Sequence, residues 1–354
     1  MKIYSKEYFL GQILECKEIE LLAAKIQKAT VCTEIEIPKK DGYRSIVSIN
    51  QNCCLRKLQE KLQKNFFSKL PISVAAKGFI KGSSYVDFLE AHIGHDFFLR
   101  LDIEHFFDSI TEEMLINSLR NFADIAVVDE IVKLCTWNGR VPQGFVTSPA
   151  ISNLVFRRID QRIRKYCRAY YKEMKRSIFY TRYADDMLFS SVGFDFKENK
   201  NFKRMIVHIL QESGFECNER KTVFSNGEIS LSGYVIKNDV HLSRNKLRNI
   251  NEVIYQFDNR TSYGQGIFKV DNKNIDLNKI IADLNAKGLK KADGTILSFA
   301  DAYSLIHYVA GWRSYLIQIG RAEHGNTGYD KQIRKKIKKL ELILDYLSET
   351  IEML

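Results

Sequence analysis

Residues 178–189 read IFYTRYADDMLF, and the rest of the chain is best interpreted from this stretch. Two short β-prone runs flank a polar tip, which is typical of a β-hairpin with Asp185 and Asp186 at its turn. Adjacent carboxylates repel each other, so they stay in water, take up a proton, or bind a cation. An Asp-Asp pair is also ordinary in a polar turn, so the stretch alone leaves a structural and a catalytic interpretation open.

A third carboxylate stands in residues 97–107, which read FFLRLDIEHFF and predict a β-strand. Its Asp102 lies between Leu101 and Ile103, so the charge needs a metal ion or an arginine as partner. Asp102 precedes Asp185 by 83 residues, so these acids come together only in the folded chain. Three convergent acids that hold two cations are the arrangement that in-line nucleotidyl transfer requires.

The composition is that of a basic globular protein. Lysine and arginine total 54 against 43 acidic residues, and the net charge of +11 favours a polyanionic partner. The seven cysteines form no CxxC pair and no zinc-binding spacing, so we expect reduced thiols. The sequence shows neither a signal-peptide pattern nor an apolar run of about 18 residues. We therefore expect a cytoplasmic protein that makes no use of a membrane.

Residues 34–47 alternate polar and apolar side chains around an Asp-Gly turn, which predicts a second β-hairpin. Lys39, Lys40 and Arg44 would lie together near its tip. They suit a triphosphate, because arginine offers a fork of donors and lysine a point charge. A solvated turn is the alternative interpretation.

Helical spacing of apolar residues predicts one packing helix over residues 7–29 and another over residues 52–67. Residues 141–150 predict a loop that leads into a helix opened by Ser148 and Pro149. That helix continues through residues 157–176, where basic side chains mix with tyrosines. Such a mixture suits a nucleic-acid backbone and its bases, and a solvated helix face is the alternative.

Together and in this order, the motifs closely resemble the fingers and palm of reverse transcriptases over about residues 30–240. The resemblance is carried by Ile37-Pro38-Lys39-Lys40 with Arg44, Leu101-Asp102 with Phe106-Phe107, Pro142-Gln143-Gly144 with Ser148-Pro149, Tyr183-Ala184-Asp185-Asp186, Gly214-Phe215 through Asn218 with Lys221-Thr222, and Leu231-Ser232-Gly233-Tyr234-Val235-Ile236. It implies an α+β fold, a right-hand polymerase with fingers, a palm of antiparallel sheet backed by helices, and a helical thumb. The implied domains are an N-terminal helix and fingers (1–100), a palm (101–240) with an interleaved fingers segment (about 111–140) and a primer-grip hairpin (about 228–240), and a helical thumb and RNA-binding region (241–354).

The resemblance also implies roles for individual residues. The catalytic acids would be Asp102, Asp185 and Asp186, which would hold two Mg²⁺ ions, or Mn²⁺, with the help of the Ile103 carbonyl group. The incoming nucleotide would contact Lys39, Lys40, Arg44, Phe107, Gln143, Gly144 and Lys221. Phe107 would block a ribose 2′-OH, and Lys221 would donate a proton unless it is only a surface lysine. The primer grip would be Leu231, Ser232, Gly233 and Tyr234, and further nucleic-acid contacts would come from Arg157, Arg158, Arg244, Lys246 and Arg248.

Among reverse transcriptases, the pattern resembles the bacterial retron-type and other defence-associated enzymes. It departs from the retron pattern at Phe88-Leu89, where Asn-Ala usually precedes the histidine found here as His92, and at Leu231-Ser232-Gly233, where Val-Thr-Gly is usual. The implied function is DNA synthesis on a dedicated structured noncoding RNA in anti-phage defence. The implied partners are that RNA, an RNA–DNA hybrid, dNTPs and an operon-encoded effector protein, with the oligomeric state open. The alternatives are a non-retron defence enzyme with protein-primed or template-independent synthesis, and an RNA-binding scaffold that needs no synthesis.

The region after residue 240 predicts a mainly helical, basic unit. Helical spacing marks residues 244–254, 275–284, 299–319 and 331–347. The unit follows the predicted primer grip and so resembles a thumb, which holds a hybrid duplex by its shape and backbone. Arg313, Arg321 and the lysines of residues 331–339 are candidates for RNA contact, with a solvated face as the alternative.

Overall fold

A computed structural model describes residues 2–39, 42–174, 177–258, 276–291, 295–320 and 328–352. Lys40 and Arg321, which the sequence analysis singled out, lie outside these ranges. The chain divides into two compact units, Met1–Ile229 and Ser230–Leu354. In the described part of the chain, no helix is both long and apolar enough to cross a membrane.

The helices of the first unit are α1 (Lys6–Tyr8), α2 (Glu18–Val31), α3 (Cys54–Asn65), α4 (Tyr85–Glu90), α5 (Glu112–Leu119), α6 (Ile125–Cys135), α7 (Ser148–Met174) and α8 (Lys200–Gln211). The prediction of one helix over residues 7–29 is wrong. Glu15 adopts a left-handed conformation (φ +47°) and ends the first helical segment before α2 begins. The break rotates the helical register, so Ile19 and Ile26 of α2 are 72% and 71% exposed, whereas Leu21 is buried.

The predicted hairpin near the N-terminus is confirmed. Strands β1 (Cys32–Lys39) and β2 (Gly42–Ile49) pair antiparallel, with Lys39 opposite Gly42 at the turn. Gly42 has a φ of +111°, a conformation that glycine adopts without the steric penalty of a side chain.

The main sheet of the first unit is antiparallel. Its strands are β3 (Phe97–Glu104), β4 (Ile178–Tyr183), β5 (Asp186–Ser191), β6 (Glu216–Cys217) and β7 (Val223–Asn226). The order is β4-β5-β3-β6, and β7 pairs with the first half of β3, which therefore lies at the centre. Helix α7 packs against β4 and α8 against β6, which buries the apolar side chains between the layers. The predicted α+β fold, with an antiparallel sheet backed by helices, is confirmed.

The second unit begins within a small three-stranded antiparallel sheet, so it contains both the predicted primer-grip hairpin and the predicted thumb. Its strands are β8 (Ile229–Leu231), β9 (Tyr234–Ile236) and β10 (Val240–Leu242), and its helices are α9 (Arg244–Asp258), α10 (Leu277–Ala286), α11 (Ala302–Gly320) and α12 (Gly328–Glu352). Helices α11 and α12 pack along each other. Arg313 of α11 donates two hydrogen bonds to Glu341 of α12, at 3.0 and 2.7 Å, so this candidate for RNA contact serves an interhelical ion pair.

Candidate active site

The three predicted catalytic acids meet at one end of two paired strands. Asp102 of β3 lies opposite Asp186, the first residue of β5. Asp185 lies in the β4–β5 turn, where its carbonyl group accepts a hydrogen bond from the Ile103 amide at 3.1 Å. The strand pairing therefore brings together acids that lie 83 residues apart in the sequence.

Negative charge is concentrated at this point. Burial, together with the neighbouring charge of Asp186, raises the pKa of Asp185 to about 6. Burial also raises the pKa of Asp186, although the guanidinium group of Arg100 opposes that shift. The cluster would thus gain stability from any added positive charge.

Two protein cations already supply part of that charge. Arg100 donates to Oδ1 of Asp186 from Nε at 2.8 Å and from Nη2 at 2.6 Å. Lys221 lies 3.0 Å from both carboxylate oxygens of Asp102, and its side chain is 55% exposed. Sequence reasoning selected Lys221 for the nucleotide and overlooked Arg100. The signal was available, because residues two apart on a strand share a face and Arg100 precedes Asp102 by two.

The donor set suits a divalent metal ion, since carboxylate oxygens are the ligands that Mg²⁺ prefers. The side chains as placed are not yet gathered around one point. Within the described ranges, no group of three His, Cys, Asp or Glu side chains lies close enough to hold a metal ion. Arg100 and Lys221 occupy oxygens that a metal would need, so metal binding requires these two side chains to turn away.

The turn that carries Asp185 is fixed by its backbone. Ala184 has a φ of +54°, and the segment before Phe79 runs alongside β4. Arg182 donates its amide hydrogen to the Ala75 carbonyl group and accepts one from the Lys77 amide, each at 2.7 Å. A Cβ atom on Gly78 would lie 2.8 Å from the Ala184 nitrogen, so only glycine permits this approach.

A buried network supports the same turn from helix α7. Arg182 and Asp160 are both fully buried, with Nε and Nη2 of Arg182 each 3.1 Å from the Asp160 carboxylate. Arg182 also donates to the Ala184 carbonyl group at 3.0 Å and to Asn153 at 3.1 Å, and Tyr180 donates to Asp160 at 2.7 Å. Sequence reasoning missed this network, although an arginine inside an apolar strand is itself a sign of a buried partner.

His92 joins the two strands of the hairpin. Its ring nitrogens lie 2.5 Å from Ser190 Oγ on β5 and 2.7 Å from Thr181 Oγ1 on β4. Burial lowers the pKa of His92 to about 3, so the ring is neutral near pH 7. Phe88, which stands where retron enzymes usually carry asparagine, is buried with its ring centre 6.0 Å from that of Tyr183. Its bulk therefore supports the tyrosine that precedes the acids.

Phe107, which is predicted to block a ribose 2′-OH, belongs to a cluster of aromatic side chains. The ring centres of Phe107 and Phe79 are 6.0 Å apart, and those of Phe79 and Tyr183 are 6.4 Å apart. Phe79 is a non-glycine residue with a φ of +62° and a partly exposed ring. Sequence reasoning did not select it.

The loop predicted to contact the nucleotide is held by the N-terminal hairpin. The Gln143 carbonyl group accepts a hydrogen bond from the Val47 amide at 2.8 Å. Gly144 has a φ of +115°, and a Cβ atom there would lie 2.5 Å from the Val47 oxygen, so the loop requires glycine. Arg44 is exposed on β2, and Lys39 ends β1 with its side chain outside the description.

The predicted nucleic-acid contacts fall on both units. Arg157 is half-buried and Arg158 exposed on α7, and Arg244, Lys246 and Arg248 lie in the first turns of α9. Strand β8 ends at Leu231, and β9 begins at Tyr234. The turn between them consists of Ser232 and Gly233, which have φ values of +49° and +84°. Lys246 donates to the Ser232 carbonyl group at 3.1 Å, so the structure brings it to the predicted primer grip.

Comparison with known proteins identifies a family for the greater part of the chain. Residues 37–236 match the family described as reverse transcriptase (RNA-dependent DNA polymerase). The retron Ec86 reverse transcriptase of Escherichia coli is 29% identical over 205 residues, which cover 57% of this chain and 62% of that protein. The retron Mx65 reverse transcriptase of Myxococcus xanthus is 29% identical over 241 residues, covering 62% of this chain and 54% of that protein. The matches thus span little more than half the length of these curated relatives.

A solved structure of telomerase from Candida albicans, in complex with a fragment of telomeric RNA, matches this chain with 12% sequence identity. The TM-score is 0.44, over 90% of this chain and 66% of that one.

Proposed function

The chain belongs to the reverse transcriptase family, and from that premise we propose that it is an RNA-directed DNA polymerase. The observation that carries the proposal is the pairing of Asp102 with Asp186 beside Asp185, inside the segment that matches the family. A cluster of three acids on paired strands is suited to nucleotidyl transfer, in which charge develops on phosphoryl oxygens.

In this proposal, Asp102, Asp185 and Asp186 hold two Mg²⁺ ions, or Mn²⁺, with the Ile103 carbonyl group. The ions supply Lewis-acid stabilisation of the charge that develops during transfer. Arg100 must release Asp186, and Lys221 must release Asp102, before the acids are available. Lys221 is then free to pair with negative charge on the nucleotide and to donate a proton to the leaving group.

The decisive experiment is extension of a DNA primer annealed to an RNA template, with dNTPs and Mg²⁺, by the full chain. Asp185→Ala combined with Asp186→Ala removes adjacent carboxylates from the charge cluster. We expect synthesis to fall roughly 1,000-fold or more, because several kcal/mol of charge stabilisation is lost. Asp129→Ala, which removes an exposed carboxylate of α6, is the matched control and should leave synthesis unchanged. Equal synthesis by the double variant and the wild type would contradict the proposal.

The product is DNA in this proposal, in which the ring of Phe107 blocks a ribose 2′-OH, and its place in the aromatic cluster with Phe79 supports this role. Phe107→Ala should admit ribonucleotides and reduce the preference for dNTPs roughly 10- to 100-fold, measured as the ratio of kcat/KM values in the same assay. Phe106→Leu, a change in the buried neighbour of Phe107, is the control and should preserve the preference. An unchanged ratio in Phe107→Ala would remove this residue from sugar selection.

The template in this proposal is a dedicated structured noncoding RNA, and the physiological role is anti-phage defence, as a retron or related system. The curated relatives are named as retron reverse transcriptases, which supports the retron part of this proposal. The test is to purify the protein from its native operon and sequence the bound nucleic acid, with and without RNase. A specific RNA joined to DNA, absent from the Asp185→Ala and Asp186→Ala double variant, is the expected result. RNA without DNA in both samples would replace the polymerase with an RNA-binding scaffold.

A further inference from the structure

A cavity of about 420 Å³ lies on one face of α11 in the second unit. It is lined by Lys246, His307, Tyr308, Gly311, Trp312 and Tyr315. This volume is in the range of pockets that hold small organic ligands, about 300–1,000 Å³. Among these six described residues, Lys246 carries the only formal charge, so the cavity is complementary to an anionic ligand with an apolar, flat part.

The aromatic side chains of the cavity are held in place. Burial raises the pKa of Tyr308, and the neighbouring side chains of Trp312 and Asn249 partly oppose that rise. Trp312 meets Tyr315 at 88° with ring centres 5.6 Å apart, and it meets Tyr308 at 65°. None of these rings is stacked face to face on another.

The cation of the cavity is fixed as well. The Lys246 ammonium group lies 4.5 Å from the ring centre of Tyr315 and 5.0 Å from that of Tyr234. It donates one hydrogen bond to the Ser232 carbonyl group, and an ammonium group has three donors. Burial lowers the pKa of Lys246, so pairing with an anion would offset a charge that is already partly removed from water.

We propose that this cavity binds one unpaired nucleotide of a single-stranded RNA segment, with the base against the aromatic rings and a phosphate on Lys246. An aromatic ring stacks on any base, and a lysine beside it suits the backbone phosphate. A paired base keeps its faces inside the helix, whereas an unpaired base offers them to the protein. A cavity of this size has room for one nucleotide. That the polymer is RNA rests on the proposed function. That the ligand is a nucleotide rests only on the aromatic rings and the lysine of the cavity.

Tryptophan fluorescence gives a direct readout, because the chain has two tryptophans and the other is Trp137 in the first unit. The variant Trp137→Phe leaves Trp312 as the sole indole. Titration of this variant with an octa-adenylate RNA should quench the emission, since the base stacks on the ring. Free adenosine monophosphate should need a roughly 10-fold or higher concentration for the same quenching, because it lacks the flanking phosphates. Equal potency of the free nucleotide would make the site a mononucleotide site and overturn the proposal.

Filling the cavity is the second test. A Cβ atom at Gly311 would meet no heavy atom within 4 Å, so Gly311→Leu places a side chain in the open space without displacing a neighbour. Ser314→Leu adds the same side chain at an exposed position of α11 that does not line the cavity. Gly311→Leu should weaken binding of the labelled octa-adenylate roughly 10-fold or more, by loss of base stacking, and Ser314→Leu should not. Equal affinities of the two variants, with no quenching of Trp312, would refute the site.

The failure of this proposal can be told apart from the failure of the polymerase. The Asp185→Ala and Asp186→Ala double variant should bind octa-adenylate as the wild type does, because binding needs no synthesis. If the wild type extends a primer while RNA does not quench Trp312 emission in Trp137→Phe, the nucleotide site is refuted and the polymerase proposal stands. Quenching of Trp312 by RNA in a wild type that makes no DNA would leave the site and remove the polymerase.

Discussion

Carboxylates at two places in the first unit are neutralised in different ways: Asp160 on helix α7, and Asp102 and Asp186 on the paired strands β3 and β5. Asp160 is paired with Arg182, which is fully buried and donates four hydrogen bonds, two of them to Asp160. The acids Asp102 and Asp186 are held by Lys221 and Arg100, whose side chains are 55% and 21% exposed. The Arg182–Asp160 pair has no access to water, whereas Arg100 and Lys221 are partly in water and can be hydrated when they leave the acids.

The difference separates a charge that maintains the fold from charges that can be exchanged. A buried ion pair is strongly destabilising when one partner is removed, since the other stays buried without compensation. An ion pair whose cation reaches the solvent contributes less to stability, because water can take the place of a cation that leaves. Exchange of one cation for another at Asp102 and Asp186 therefore leaves the sheet intact, and such exchange is what a catalytic site needs.

The largest effect should come from Arg182→Met. We expect the free energy of unfolding to fall by about 3–5 kcal/mol, because Asp160 remains buried without its charged partner. Chemical denaturation measures the change. The control combines Arg182→Met with Asp160→Leu, which removes both charges and should be more stable than the single variant. An unfolding midpoint of Arg182→Met equal to that of the wild type would break the distinction between the two groups.

His92 sharpens the comparison, because it joins β4, which carries Arg182, to β5, which begins with Asp186. Its pKa is about 3 in the folded state and near 6.5 when unfolded, so only the unfolded chain takes up a proton between these values. Stability is fully present above pH 6.5 and is lost as the pH falls towards 3, by about 1.4 kcal/mol per pH unit. His92→Gln should remove that slope between pH 6.5 and 5, measured by denaturation across the range.

A second histidine, His95, affects the interpretation of the His92 experiment. Burial also lowers the pKa of His95, which lies 2.6 Å from the same Ser190 hydroxyl group, so a smaller slope should remain in the variant. His95→Gln is the matched control and should leave most of the slope. Identical pH profiles for His92→Gln and the wild type would show that His92 is not the titrating group.

The smallest effect on stability should come from Lys221→Met, below about 1 kcal/mol, because the lysine is half-exposed. DNA synthesis should nevertheless fall roughly 10-fold or more, through loss of a proton donor. Lys133→Met removes a lysine of similar exposure, paired with Asp129, and should change neither quantity. A loss of several kcal/mol in Lys221→Met would place Asp102 with the structural carboxylates.

The sequence predicted the fold class and the elements that carry the acids, because strands, tight turns and adjacent carboxylates leave local patterns. It failed where the outcome depended on distant partners. Asp160 lies among basic residues in the predicted helix, and only its ion pair with Arg182 shows it to be structural. Ile19 and Ile26 read as core positions, and a left-handed residue at Glu15 turned them to the surface.

The cavity of the second unit was missed for a related reason. Lys246 is predicted to contact nucleic acid, whereas residues 299–319, which contain Trp312, show only the apolar spacing of a helix. A helical pattern shows which side chains share a face and does not show whether that face is covered. The glycine at position 311, which keeps the face open, carries no signal of its own in the sequence.

The central position of β3 has a consequence for biosynthesis. In the described part of the chain, every strand that pairs with residues 97–104 follows residue 185, and the last pairing residue is Asn226. At roughly 5–20 residues per second, the ribosome takes roughly 6–25 s to make the intervening chain. Phe98, Leu99 and Leu101 are apolar side chains on a strand that has open edges throughout this interval, a state that favours pairing with the wrong strand. The yield of native protein will therefore depend on how well residues 97–104 are shielded during translation, more than on the stability of the finished sheet.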